Sequence, residues 1–203
     1  MTTSSSWISF VIRSSSQTSA VPPVAVPVPA LGLSFLKTAI PLVAIVVCIA
    51  IAKRRHAEWR GYIGLVAPSP SQLGLWVVLY VVWMLATNRI MGWRGPWDFA
   101  PWRAQSLSVS VLRVLGVGLL GPIAEELIFR GFLYSRLTEA GLAVWQTIVL
   151  LAAAWAALHY SEALPVLALF FVDGVLLGLA RKTSRSVIVP IAMHIVWNLF
   201  AIW

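Results

Sequence analysis

Residues 31–56 read LGLSFLKTAIPLVAIVVCIAIAKRRH, an almost unbroken apolar run over 31–52 closed by Lys53, Arg54, Arg55 and His56. About 20 apolar residues are enough for a helix to cross the ~30 Å hydrocarbon core, and a basic cluster at one end marks the side on which it stops. This is a first span. Working outward, apolar segments recur at 72–91, 107–120, 142–159, 163–180 and 187–203. The segment 107–120 departs most from the pattern: it is short, contains Arg113 and runs through Gly121-Pro122 into a helical-looking stretch at 123–137. It is either one kinked helix or two pieces. The composition agrees with a membrane protein. Of the 203 residues 60% are hydrophobic and 11% charged, with a mean hydropathy of +0.87, whereas soluble domains are about 45–50% apolar and about 25% charged. The expected fold is an all-α polytopic transmembrane bundle of about six to seven spans around a buried polar cavity.

Three regions follow. Residues 1–30 are rich in Ser, Thr and Pro and read as a weakly ordered, partly polyproline-like tail. The apolar piece at 7–12 is shorter than the ~7–15-residue core of a secretory signal, and a targeting role or a misplaced start codon stays open. Residues 31–71 hold the first span and a basic linker, and 72–203 form the core. Lys and Arg number 15 against 7 Asp and Glu, a net charge of +8. The cations lie between apolar runs and form no single face, so they point to topology, not to nucleic acid. Alternating the spans puts Lys53, Arg54, Arg55, Arg60, Arg130, Arg136, Arg181, Lys182 and Arg185 on one side and Arg13, Arg89, Arg94 and Arg103 on the other, which makes the first side cytoplasmic. Trp93, Trp97 and Trp102, beside Arg94 and Asp98, read as an interfacial belt. Cys48 is the single cysteine, so no intrachain disulfide or multi-cysteine zinc site exists; it faces lipid or packs.

Ionisable groups at membrane depth are expensive, and each is by default a functional-site candidate. This chain places Glu125, Glu126, His159, His194 and Asp173 there. On a helix Glu125 and Glu126 point about 100° apart, so they cannot do the same job. Glu126 and Arg130 are i and i+4 with the acid on the N-terminal side, the orientation that favours an ion pair. Glu125 has no helical partner, and its alternative to a catalytic role is an interfacial pairing of both acids with Arg130 and Arg136. Trp155 and His159 are also i and i+4, placing a ring over the imidazole. His194 and Asn198 repeat the spacing on the last span, where two aligned polar side chains need a shared partner or a cavity. Gly174 and Gly178 form a small-xxx-small pair that admits a close helix, and Pro190 either kinks the last span or sits in its first turn.

A carboxylate and a histidine to activate water, with a second histidine and an amide to meet a developing oxyanion, are the inventory for amide hydrolysis. Two histidines and a carboxylate can equally hold a catalytic zinc ion, and Glu125, His159 and His194 would then be its ligands. The sequence leaves open whether the cofactor is one zinc ion or none. HExxH and GxSxG are both missing. Buried Glu and His also relay protons in transporters, although no internal repeat is visible.

The ordered set Glu125-Glu126-x-x-x-Arg130, Trp155-x-x-x-His159, Phe171-x-x-Gly174-x-x-x-Gly178 and His194-x-x-x-Asn198 resembles the motifs of the CAAX-protease and bacteriocin-processing (CPBP, or Abi) family of intramembrane endopeptidases, roughly over 72–203. The resemblance implies that Glu125 and His159 activate the water, that His194 and Asn198 form the oxyanion site, and that Glu126 and Arg130 support them. It implies a membrane-associated or lipidated peptide or protein terminus as substrate, in contact with membrane lipids and without nucleic acid. The competing reading is a non-enzymatic bacteriocin-immunity or scaffolding protein with the same motifs. Two departures from the family pattern are Trp155, where phenylalanine is common, and Asp173, where an apolar residue is expected.

Overall fold

The computed structural model describes residues 29–91, 106–160 and 162–202, with the side chains of 29–31 and 202 left aside. The tail at 1–28, the tryptophan belt at 93–102 with Arg94, Asp98 and Arg103, and Trp203 lie outside the described residues. All regular structure among the described residues is helical: α1 Pro29–Arg55, α2 Trp59–Tyr62, α3 Pro70–Met91, α4 Leu107–Glu139, α5 Val144–Ala157, α6 Leu164–Ser184 and α7 Ile188–Ile202. Four of these contain stretches long and apolar enough to cross a membrane: Gly32–Arg55 within α1, α3, α4 and α6. The molecule is a polytopic integral membrane protein.

Two expectations are corrected in detail. The segments 107–120 and 123–137 are neither separate helices nor a simple kink: α4 runs unbroken for 33 residues. Its hydrogen bonding widens to i→i+5 over Val114–Leu120 and again over Leu127–Leu133. Pro122 removes one backbone donor between the two wide segments. Side chains of other helices then take carbonyls from those segments. Asn198 Nδ2 donates to Val117 O at 2.8 Å, Arg181 Nε to Arg130 O at 2.9 Å, and the buried Cys48 thiol lies 3.6 Å from Leu127 O. The second correction concerns 142–159, where the helix is only the 14 residues of α5, about 21 Å long and short of the ~30 Å core. α7 is 15 residues long and is likewise too short to cross unaided, with Pro190 in its first turn.

α5 and α6 make an antiparallel hairpin whose closeness is set by glycine. A Cβ on Gly174 would come within 2.9 Å of Ala152 Cα, and one on Gly178 within 2.8 Å of an Ile148 methyl. The four-residue step is the same on both helices, so Gly174 faces Ala152 and Gly178 faces Ile148 along one seam. α7 packs on α3 and on the first half of α4, and α1 lies along α4. Most large side chains of α1, such as Phe35, Ile40 and Val43, are exposed, as suits a lipid-facing helix, while Cys48 and Ala52 near its basic end join Ile63, Leu127 and Val187 in a buried cluster. A second cluster of Tyr80, Leu177, Ala180, Val189 and Met193 binds α3, α6 and α7 together, and a third of Trp155, Ala156, Val166 and Phe170 closes the other end of the α5–α6 hairpin.

Candidate active site

Glu126 is the twentieth residue of α4, about 20 Å from the Glu139 end of that helix by its rise per residue, and Gly174 lies near the middle of α6. The polar cluster therefore sits well inside α4 and at the middle of α6. Glu126 and Arg130 are 0% and 1% exposed, and Arg130 Nη1 donates to Glu126 Oε1 at 2.8 Å, one turn apart. Arg130 Nη2 donates across to Gly174 O at 3.1 Å, and its guanidinium lies 5.1 Å from the centre of the Trp155 ring. The buried His194 brings Nδ1 to the same Glu126 Oε1 at 2.9 Å. Glu126 thus gathers a guanidinium and an imidazole on one oxygen; the other, Oε2, is buried without a hydrogen-bond partner among the described residues. Because the carboxylate only accepts, Nδ1 carries the proton, and His194 Nε2 is an acceptor in the neutral ring and a donor in the imidazolium.

Glu125 projects the other way and is half-buried. No helical partner was expected for it, and its partner comes from another helix: Trp155 Nε1 donates to Glu125 Oε2 at 2.6 Å. His159 sits one turn beyond Trp155, with Nδ1 3.1 Å from the Trp155 carbonyl. A carbonyl can only accept, so His159 Nδ1 holds the hydrogen and Nε2 keeps its lone pair in the neutral ring. The His159 ring stacks on Phe170 at 4.1 Å, and Trp155 meets His159, Phe170 and His194 edge to face at 5.3, 5.6 and 5.4 Å. Trp155 therefore anchors Glu125 by its indole and His159 by its backbone, while its ring touches His194. The sequence pointed to this tryptophan only as a ring over His159; its donor role depends on how α4 packs on α5.

The structure brings Glu126, Arg130 and His194 into direct contact and joins Glu125 to His159 through Trp155. The half-buried Asn198 gives one amide hydrogen to Val117 O in the wide turn of α4, one helical turn beyond His194. Among the described residues no group of three or more His, Cys, Asp and Glu is gathered as a metal set, and the conditional ligands Glu125, His159 and His194 have separate hydrogen-bond partners. Asp173 is buried and accepts from Trp83 Nε1 at 2.7 Å, which ties α6 to α3 beside Gly174. It pairs with a neighbouring donor, as an acid in hydrocarbon must.

Fold and site together define an integral membrane protein of the helical-bundle class with a buried carboxylate–guanidinium–imidazole cluster. Residues 107–200 match the family model described as type II CAAX prenyl endopeptidase Rce1-like, and every motif residue from Glu125 to Asn198 falls inside that stretch. The match is narrower than the expected 72–203 and leaves α1 to α3 outside it. The family is one of CAAX-type proteases. No curated protein and no solved structure matches the chain.

Proposed function

We propose that this protein is an intramembrane endopeptidase that hydrolyses a peptide bond near the end of a membrane-associated or lipidated protein or peptide, using water activated by Glu125 and His159. The observation that carries the reading is the double anchoring by Trp155, which gives the carboxylate and the imidazole one rigid support. Glu125, with His159 beside it, takes a proton from water as the oxygen attacks the carbonyl carbon. The proton passes to the amide nitrogen as the C–N bond breaks. His194, oriented by Glu126, donates to the oxyanion from Nε2 in its imidazolium form. Asn198 uses one amide hydrogen on Val117 O, and the NH₂ group has a second for the oxyanion. Glu126 and Arg130 hold the cluster in place without touching the reacting atoms. The basic residues at the ends of α1 and α6 favour a cytoplasmic orientation for that end, and a plasma-membrane location if the host is bacterial.

The test is Glu125→Gln in the full chain reconstituted in lipid nanodiscs, with a lipidated reporter peptide. General-base catalysis supplies about 10²–10⁴-fold, so turnover should fall by that much while the unfolding transition stays in place. Wild-type turnover in a well-folded Glu125→Gln protein would leave the immunity or scaffolding reading in its stead.

A further inference from the structure

Two arginines of the described chain are buried, Arg130 and Arg181, and only Arg130 faces a carboxylate among the described residues. Arg181 is 7% exposed and lies three residues before the end of α6. Its Nε donates to Arg130 O at 2.9 Å, and its guanidinium lies 5.1 Å from the centre of the Tyr134 ring. The other flank is backbone. Gly64 has φ +72°, and a Cβ there would come within 2.5 Å of both Arg181 Cζ and Nη2. The linker after α2 thus supplies a glycine in a left-handed conformation against the plane of the guanidinium, and Val187 N fixes that glycine by donating to its carbonyl at 2.8 Å. Nη1 and Nη2 make no hydrogen bond within the described residues and stay open to the surface.

A guanidinium largely withdrawn from water without a counter-charge is costly, and one whose outer nitrogens stay open to the surface can be completed there by an anion. The surroundings make it costlier still, since Lys182, Arg185 and Arg60 stand exposed nearby along the same end of the bundle, and Glu139 is already taken by Arg136 and Tyr62. We propose that Arg181 binds the phosphate of an anionic phospholipid in the leaflet at the basic end of the bundle. Depth favours a lipid over a peptide. α6 has 21 residues, a length of about 31 Å that matches the hydrocarbon core, and Arg181 lies about 5 Å from its end, within side-chain reach of the headgroups. The polar cluster at Gly174 lies about 10 Å deeper. The planar fork of arginine suits phosphate oxygens, and basic clefts between helices are where lipid headgroups are held.

The experiment uses the full chain in nanodiscs of phosphatidylcholine mixed with phosphatidylglycerol, released and weighed by native mass spectrometry. Wild-type protein should retain phosphatidylglycerol over phosphatidylcholine. Arg181→Met should lower that preference by about tenfold, and Arg181→Lys, which keeps the charge and loses the fork, by less. Lys182→Ala should leave most of it. Unfolding temperatures in phosphatidylcholine alone report folding, and Arg181→Lys carries the test if the methionine variant does not fold. Absence of preference in the wild-type protein, or preference unchanged in both variants, overturns the proposal. It is overturned equally if the variants keep the lipid but raise KM for a peptide with a free carboxylate and not for its amide, which would make Arg181 a site for the peptide end.

Discussion

Replacing Glu126 by glutamine should cost stability first and turnover second, because of what it leaves behind. The wild-type carboxylate is 0% exposed and holds Arg130, 1% exposed, through a 2.8 Å contact, with His194 on the same oxygen. Glutamine keeps the shape and one acceptor but removes the charge, so the guanidinium is left with neutral partners alone among the described residues: the amide oxygen, Gly174 O and the faces of Trp155 and Phe129. Removing one partner of a buried ion pair costs about 3–5 kcal/mol, mostly through the stranded charge. Glu125→Gln strands nothing comparable. Glu125 is half-buried and accepts one indole N–H, and a bond to a charged group is worth about 1.5–3 kcal/mol, part of which a neutral amide oxygen retains. Unfolding free energies in a fixed detergent should therefore separate the two variants by about 2 kcal/mol or more, Glu126→Gln being the weaker. Adding Arg130→Met to Glu126→Gln supplies the control. If the stranded charge is the cause, the double variant regains stability over the single one. Equal stability of the two glutamine variants, or losses that simply add in the double variant, would refute the reasoning.

Trp155→Phe keeps an aromatic ring against His159 and His194 but deletes the donor to Glu125; turnover should drop about tenfold or more with a small change in unfolding temperature, and unchanged turnover would show that the indole N–H does not position the base. Gly174→Ala should push α5 from α6 at Ala152 and disturb the carbonyl that Arg130 holds, costing about 1–3 kcal/mol in an unfolding titration; a neutral result would mean the seam tolerates a methyl. Asn198→Ala should lower turnover by about 10²–10³ with little change in KM if its second amide hydrogen meets the oxyanion. A stoichiometric metal in the wild-type protein that is lost in His194→Ala would reassign His194 as a ligand, with Asn198→Ala then costing only about 10–100-fold.

The fold was readable where apolar length alone decides it. The run ending at Lys53, Arg54 and Arg55 and the stretches that became α3 and α6 announce themselves, because hydrocarbon thickness sets the length of a helix that must cross it. The widened turns of α4 were not readable. Glycines and Pro122 mark a loosened helix, but whether it breaks, kinks or widens depends on partners far away in sequence. Asn198, Cys48 and Arg181 reach the carbonyls of Val117, Leu127 and Arg130 only after α7, α1 and α6 have packed. For the same reason α5 looked like a full span: its apolar run continues to Leu158, and only tertiary packing shows the helix ending at Ala157.

The site divides along the same line. Glu126 and Arg130 could be paired from sequence because their contact is one helical turn, a distance that the backbone fixes. Everything that joins this pair to the remaining residues crosses between helices. Gly174 O reaches Arg130, Glu126 reaches His194, and Trp155 reaches Glu125, so α4, α5, α6 and α7 must all be seated before the proposed site exists. The glutamates consequently differ less by their neighbours in sequence than by which helices they hold. Glu126 is spent on assembling α4, α6 and α7 around one buried charge pair. Glu125, half-buried and held among the described residues by the edge of one indole, is the carboxylate we propose for substrate water.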